Sequence, residues 1–120
     1  MNTSSTAMFQ RVLVGIDFSA DSLSALQVAH ERFAAPTATL VLVHAADAAE
    51  DLSDYAELRG QVVSAQAGDL QRRLQGLAAA RREGWQEVHT VLELGKPADV
   101  ILAAAHAWQA DLVVLGSHGH

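Results

Sequence analysis

Four short apolar segments recur along the chain, and their patterns indicate β-strands. Three of them are continuous apolar runs, which is typical of strands buried on both faces of a parallel sheet. The segment that is third in chain order alternates instead, with Val88, Thr90, Leu92 and Leu94 on one face, and this suits a strand at the edge of a sheet. The predicted strands are residues 11–17, 39–45, 87–94 and 112–115.

Between these strands, apolar residues recur at helical spacing. The first predicted helix begins after Ser19, whose hydroxyl makes it a good N-cap, and it ends before Pro36. The second covers about residues 55–82, with Gly84 as its predicted C-terminal cap. Because each of its three internal glycines weakens a helix, we expect a bend or break near one of them. The third helix begins at Pro97, a residue favoured in the first helical turn.

Strands and helices therefore alternate in the order β-α-β-α-β-α-β. Right-handed connections between parallel strands place helices on both faces of the sheet. This order predicts an α/β fold with a doubly wound, Rossmann-like parallel sheet. In such sheets ligands bind outside the carboxyl ends of the strands, where the strand order reverses. For a strand order of 3-2-1-4, that point lies between the first and fourth strands.

Composition narrows the classes of partner. The 120 residues include 14 acidic and 8 basic side chains, for a net charge of −6, so neither nucleic acid nor an anionic membrane is expected as a partner. The absence of cysteine excludes disulfides, thiolate metal sites and cysteine nucleophiles. No apolar run approaches the roughly 18 residues of a membrane span, and the N-terminus lacks a signal-peptide pattern. We therefore expect a cytoplasmic domain, with residues 1–8 as a flexible N-terminus.

Candidate chemistry lies at two of the predicted strand ends. The first strand ends in Gly15-Ile-Asp17, and the fourth opens into the turn Gly116-Ser-His-Gly119. A carboxylate accepts hydrogen bonds from hydroxyl or amino groups, and the amides of a glycine-rich turn can surround phosphate, so together they suit a nucleotide. Two alternatives stay open: Asp17 can cap the first helix or stiffen the turn, and the glycines can serve backbone geometry alone. Neither a Walker A sequence nor Gly-x-Gly-x-x-Gly occurs.

Four segments, in order and at matching spacing, resemble the universal stress protein family. They are Gly15-Ile-Asp-Phe-Ser19, Val43-His-Ala45, Gly95-Lys-Pro-Ala-Asp-Val-Ile101 and Asp111-Leu-Val-Val-Leu-Gly-Ser-His-Gly119. The resemblance implies a five-stranded parallel sheet of order 3-2-1-4-5, a homodimer and, in one branch of the family, ATP binding. On this interpretation, residues 9–120 form a universal stress protein domain that lacks its last helix and fifth strand, and the sequence either is truncated at its C-terminus or omits a disordered tail.

The resemblance also implies a set of site residues. Gly15, Ile16 and Asp17 are implied to contact the adenosine part of ATP, and the backbone of Ala45 to lie against the adenine. The ATP-binding branch carries Gly-x-x-Gly, nine further residues, and then Gly followed by Ser or Thr; this sequence holds the first half. Its residues are implied to approach the ribose and phosphates: Gly116, Ser117, Gly119 and His120. Magnesium or manganese would be held mainly by the phosphates, and no metal ligand from the protein is expected.

From these observations we expect an adenine-nucleotide-binding regulator of the stress response. Efficient turnover is not expected, because no general base or arginine finger is placed to hydrolyse ATP. Two alternatives remain, a dimeric interaction module that binds no nucleotide and a slow ATPase or autophosphorylating protein. His118 and His120 lack the further ligands of a metal site, and we interpret His44 as a near-core residue whose hydrogen bond is satisfied.

Overall fold

The described part of the chain forms a four-stranded parallel sheet with helices on both faces. The structure, a computed structural model, describes residues 7–46 and 59–116, with the backbone alone described for residues 59–67. In chain order the elements are β1 (Arg11–Gly15), α1 (Ala20–Phe33), β2 (Thr39–Ala46), α2 (Arg59–Ala79), β3 (Glu87–Leu94), α3 (Pro97–Trp108) and β4 (Leu112–Val114). The strands are arranged β3-β2-β1-β4, which confirms the predicted α/β fold and the strand order 3-2-1-4.

The two central strands bury their side chains alternately on opposite faces of the sheet, which creates two cores. The core beneath α1 and α2 contains fully buried residues of both strands and both helices: Val12, Val14, Leu26, Leu40, Leu42 and Leu74. The core beneath α3 is smaller and contains Leu13, Val41, Val43, Val100 and Ala104. Because both faces of β1 and β2 are covered, both strands appear in the sequence as continuous apolar runs.

β4 is less buried than its sequence predicts. The continuous run at residues 112–115 predicts a strand covered on both faces, yet Val113 is 40% exposed and Leu115 is 55% exposed. Among the described residues, β4 pairs with β1 alone, through three register pairs, and α3 packs chiefly against β2. The prediction of burial on both faces was therefore wrong, because no described helix covers β4 on that side. The prediction that β3 lies at an edge is confirmed.

Asp111 fastens the start of β4 to the start of β1. Its carboxylate accepts hydrogen bonds from the backbone N–H groups of Gln10 (2.9 Å) and Arg11 (2.8 Å). Its own N–H donates to the carbonyl of Arg11 at 3.0 Å. The Arg11 guanidinium in turn donates to the carbonyl of Trp108, at the end of α3 (3.3 Å). These bonds align the two strands, so their carboxyl ends lie side by side.

The starts of α1 and α3 agree with the sequence prediction. Ser19 is the N-cap of α1, and its hydroxyl accepts a hydrogen bond from the N–H of Ser22 at 3.1 Å. This bond satisfies one of the amides that a helix leaves without an internal partner. α3 begins at Pro97, as predicted, with Lys96 at the N-cap position. Both helices start at the carboxyl edge of the sheet, which brings their first turns to the predicted ligand-binding edge.

The end of α2 differs from the prediction. The helix is continuous through its internal glycines and ends at Ala79, whereas we predicted a bend or break and an end near residue 82. Gly84 does not cap this helix; it closes a separate 3-10 turn, Arg82–Gly84. A Cβ at Gly84 would lie 2.8 Å from Cε1 of His30. A side chain at this position would therefore need the His30 ring of α1 to shift.

Candidate functional site

A cavity of about 270 Å³ lies at the carboxyl ends of β1, β2 and β4, with the start of α3 on one side. Five residues that the sequence analysis selected line it: Gly15, Ile16, Asp17, Ala45 and Gly116. This place is the switch point of the sheet, where ligands of doubly wound folds bind. Two larger depressions, of about 340 Å³ and 640 Å³, lie at the amino ends of the strands and between β3 and α3, away from this point.

Asp17 is the carboxylate of the cavity, and the turn around it holds it in place. Its Oδ1 accepts a hydrogen bond from the backbone N–H of Ser19 at 2.9 Å, and its own N–H donates to the hydroxyl of Ser22 at 3.2 Å. The hydrogen bond from Ser19 lowers the pKa of Asp17 below its ordinary value of 3.8. Asp17 is therefore ionised at neutral pH and can accept hydrogen bonds from a ligand.

The two alternatives for Asp17 can now be separated. Its side chain does not cap α1, because Ser19 occupies the N-cap position. It does stiffen the turn through its bond to the N–H of Ser19, and it also lines the cavity. Asp17 thus stiffens the turn and also lies where a ligand-binding carboxylate would have to lie.

Two glycines allow the walls of the cavity to approach closely. A Cβ at Gly15 would lie 2.7 Å from Cδ2 of Leu115 and 3.0 Å from Cδ1 of Ile101. A Cβ at Gly116 would meet backbone atoms of α1, at 2.8 Å from the nitrogen of Ser22 and 2.9 Å from the carbonyl carbon of Asp21. Gly116 is therefore needed for the contact between β4 and α1, and backbone geometry explains this glycine without a ligand.

Comparison with known proteins identifies the family. The model of the universal stress protein family matches residues 8–120. The chain belongs to this family. A universal stress protein of Thermus aquaticus, described by its place in the QAH/OAS sulfhydrylase 3′ region, is 34% identical over 117 residues, or 93% of this chain and 80% of that protein.

Solved structures show the same fold. Hypothetical protein MJ0577 has a TM-score of 0.82 and 18% identity, over 94% of this chain and 78% of that one. A universal stress protein in complex with cAMP has a TM-score of 0.53 and 24% identity, over 90% of this chain and 71% of that one. At these identities the comparison shows that this universal stress protein has the same fold as the two solved proteins. It does not show which ligand this universal stress protein binds.

The structure places most of the predicted site residues together. Gly15, Ile16, Asp17, Ala45 and Gly116 line one cavity, although they come from three separate strand ends. The remaining predicted residues lie outside the described part of the chain: Ser117, Gly119 and His120. His44, next to Ala45, is half-buried, and its Nδ1 lies 2.6 Å from the carbonyl oxygen of Ile16. This agrees with our interpretation of a satisfied near-core residue.

Six lining residues of this universal stress protein were not predicted: Ser22, Val43, Pro97, Ala98, Ile101 and Leu115. A usable signal existed for three of them, because residues 95–101 were already recognised as a family segment that opens α3. A helix that follows a parallel strand starts at the carboxyl edge of the sheet. Pro97, Ala98 and Ile101 could therefore have been placed at the site from topology alone.

No metal site or membrane span is found in the described ranges. Within residues 7–46 and 59–116, His, Asp and Glu nowhere form a group of three or more that could hold a metal ion. The pair His118 and His120 lies outside these ranges. None of the helices in the described part of the chain is long and apolar enough to cross a membrane.

Proposed function

We propose that this universal stress protein binds an adenine nucleotide, ATP, with the adenosine part in the cavity between β1 and β4. One observation carries the proposal: Asp17 and the two glycines, which sequence reasoning selected from the ends of β1 and β4, line the same cavity as Ala45 at the end of β2. A cavity at the switch point of a doubly wound sheet is the usual ligand site of such folds. We further propose that the protein acts in the cytoplasm as a regulator of the stress response.

The size and chemistry of the cavity suit a nucleoside. Its volume of about 270 Å³ lies just below the range of about 300–1,000 Å³ for small-molecule sites, so it suits the nucleoside better than the whole of ATP. Apolar side chains such as Val43, Ile101 and Leu115 offer contacts for a purine base. The ionised carboxylate of Asp17 can accept hydrogen bonds from ribose hydroxyls. One solved universal stress protein of the same fold was obtained in complex with cAMP, also an adenine nucleotide, but the choice of ligand for this chain rests on the lining of its own cavity.

The phosphates of ATP are proposed to extend past Gly116 toward residues 117–120. In this proposal Ser117, Gly119 and His120 hold the phosphates, and magnesium or manganese is bound mainly by phosphate oxygens. The metal would supply positive charge that offsets the charge of the phosphates. Asp17 would keep its place at the adenosine end, because its Oδ1 is already bonded to the N–H of Ser19.

A regulatory role is proposed rather than efficient catalysis. The described lining of the cavity contains one carboxylate and no lysine, arginine or histidine. Rapid phosphoryl transfer requires cationic groups that stabilise the transferred phosphate and a residue that orients the nucleophile. Slow ATP hydrolysis or autophosphorylation is the alternative. Incubation with γ-labelled ATP, followed by phosphate release and intact mass, tests it, and label transfer would favour the enzyme.

Calorimetric titration with ATP and magnesium, together with thermal unfolding, tests nucleotide binding. At 100 times its dissociation constant, a ligand that binds only the folded state adds about 2.7 kcal/mol of stability. Asp17→Ala is expected to weaken binding. Asp99→Ala is the matched control, since Asp99 lies in the first turn of α3 but lines the depression between β3 and α3. Absence of binding by the wild type refutes the proposal, and equal binding by Asp17→Ala refutes the role of Asp17.

A homodimer that forms along β4 is a second proposal, and it applies also to an interaction module without nucleotide. Val113 lies on β4 and Leu115 just after it, and both are exposed apolar residues. In the described part of the chain β4 is at the edge of the sheet, and such edges favour association. Analytical ultracentrifugation of the wild type and Val113→Lys tests it. We expect a dimer that the lysine disrupts, and a wild-type monomer at high concentration would refute the proposal.

A further inference from the structure

His44 holds the loop that carries Asp17. Its Nδ1 lies 2.6 Å from the carbonyl oxygen of Ile16. A carbonyl oxygen can only accept a hydrogen bond, so the hydrogen must be on Nδ1 of His44. The bond therefore assigns the tautomer of the neutral ring, with Nδ1 protonated and Nε2 carrying the lone pair.

Ile16 is consequently held to β2 through both of its backbone groups. Its N–H donates to the carbonyl of Val43 at 2.7 Å, and its carbonyl accepts from the ring of His44. The backbone pairing of β1 with β2 is thus extended one residue past Gly15, with a side chain in place of the next amide. Immediately after this anchored residue the chain turns, and Asp17 is the first residue of the turn.

The turn itself has an unusual backbone. Phe18 has a φ of 62°, in the left-handed region that residues with a bulky side chain rarely adopt. Its ring contacts two partners from other elements. The centroid of the His44 ring lies 4.9 Å from the centroid of the Phe18 ring, and the Arg73 guanidinium of α2 lies over the Phe18 ring, 4.1 Å from its centroid. Phe18 thus makes both contacts from a backbone conformation that a bulky residue rarely adopts.

We propose that His44 is a positioning residue of the nucleotide site, which sets the β1–α1 loop by bonding Ile16 and bracing Phe18. The inference rests on the proposed function, because it assigns His44 an effect on nucleotide affinity. His44 does not line the cavity, so it acts through the loop. A loop that is already in its binding conformation loses less freedom when the ligand binds, and Asp17 then meets the ligand in one orientation.

Three substitutions of His44 separate the hydrogen bond from the ring. His44→Phe keeps an aromatic ring against Phe18 but has no donor, and His44→Asn places an amide N–H close to the position of Nδ1. His44→Ala removes both features. Because one hydrogen bond has a modest net effect, we expect His44→Phe to weaken ATP binding about two- to tenfold. His44→Asn should recover much of this loss, and His106→Ala, an exposed histidine of α3, should bind like the wild type.

Amide hydrogen exchange of the nucleotide-free protein provides the second readout. The N–H groups of Asp17 and Ser19 are bonded within the loop, so we expect their exchange to be faster in His44→Phe and His44→Ala and close to wild type in His44→Asn. Melting temperatures show which variants remain folded. A long-range ¹H–¹⁵N spectrum of the wild type should show the His44 ring protonated at Nδ1.

The possible outcomes distinguish this inference from the proposed function. If the wild type binds no ATP, the proposed function fails, and exchange at Asp17 and Ser19 alone decides whether His44 positions the loop. If His44→Phe keeps wild-type affinity and exchange, the hydrogen bond positions nothing and the inference is wrong. Weaker binding by His44→Phe with unchanged exchange would also overturn it, because His44 would then act by another route.

Discussion

Adding one methyl group is expected to lower mainly the stability of the protein at Gly116 and mainly its affinity for the ligand at Gly15. Gly15→Ala and Gly116→Ala are the same chemical change on facing walls, and in both cases the new Cβ comes within 3.0 Å of a neighbouring atom. The neighbours differ. At Gly15 they are the terminal carbons of Leu115 and Ile101, whereas at Gly116 they are backbone atoms at the start of α1.

For Gly116→Ala the neighbouring backbone cannot move without disturbing the first turn of α1. Overpacking of this kind costs about 1–3 kcal/mol. The smaller entropy of the unfolded alanine chain offsets about 0.4–1 kcal/mol of this. The expected net loss is about 1–2 kcal/mol of unfolding free energy, which lowers the melting temperature by about 4–8 °C for a chain of this length.

For Gly15→Ala the neighbours are side-chain ends, and Leu115 is 55% exposed, so it can rotate away at little cost. Alanine is also favoured over glycine within a strand by about 0.5–1 kcal/mol. The stability should therefore stay within about 1 kcal/mol of the wild type. The methyl group and the displaced side chains occupy the cavity, however, and one methylene too many in an apolar pocket costs about 1–3 kcal/mol of binding, or tenfold and more.

Urea unfolding and ATP titration of the two variants test this reasoning together. We expect Gly116→Ala to be the less stable protein and Gly15→Ala to be the stable protein with the weaker affinity. If Gly15→Ala were more destabilising than Gly116→Ala, the argument that side-chain ends move aside more easily than backbone atoms would be refuted. Unchanged affinity of Gly15→Ala would show that the ligand does not occupy this cavity.

Three further predictions concern the loop and the core. Because the folded-state pKa of Asp17 is lowered, its ionised form contributes stability that is present above the ordinary pKa of 3.8 and is lost as the pH falls through the folded-state pKa. In urea unfolding, the advantage of wild type over Asp17→Asn should therefore be present at pH 7 and shrink as the pH is lowered below 3.8. Ser19→Ala removes the N-cap of α1 and should lower the free energy of unfolding by about 1 kcal/mol. Ser19→Asp, which keeps an N-cap side chain, should show no such loss. Leu74→Ala removes a fully buried side chain from the larger core and should lower the free energy of unfolding by about 2–5 kcal/mol. A loss below about 1 kcal/mol would contradict the place of Leu74 in the core.

The elements of the fold could be predicted because each depends on local sequence. The apolar run of β2, the alternation of β3 and the hydroxyl of Ser19 carry their own structural signals. Alternating strands and helices then leave few arrangements of the sheet. The position of the cavity followed from that topology, which is why Gly15 and Asp17 could be placed at it before their surroundings were known.

Other features depend on residues that are distant in the sequence. Phe18 has a left-handed backbone and its ring contacts His44 and Arg73, and neither contact has a signal in the sequence near Phe18. The exposure of Leu115 depends on which helix covers β4, and an apolar run cannot show that. The close approach of α1 to Gly84, beyond the end of α2, is likewise a tertiary contact.

The unequal pairing of the strands has a consequence for how this site opens. β4 joins β1 through three register pairs, whereas β2 and β3 share eight, and Asp111 anchors only the end of β4 that is remote from the cavity. Separation of β4 from β1 would therefore be the least costly partial unfolding of the sheet. It would begin at the cavity wall that Leu115 and Gly116 form. A ligand that contacts both β1 and β4 would hold the two strands together. Ligand binding should therefore slow amide exchange in β4 more than in β2.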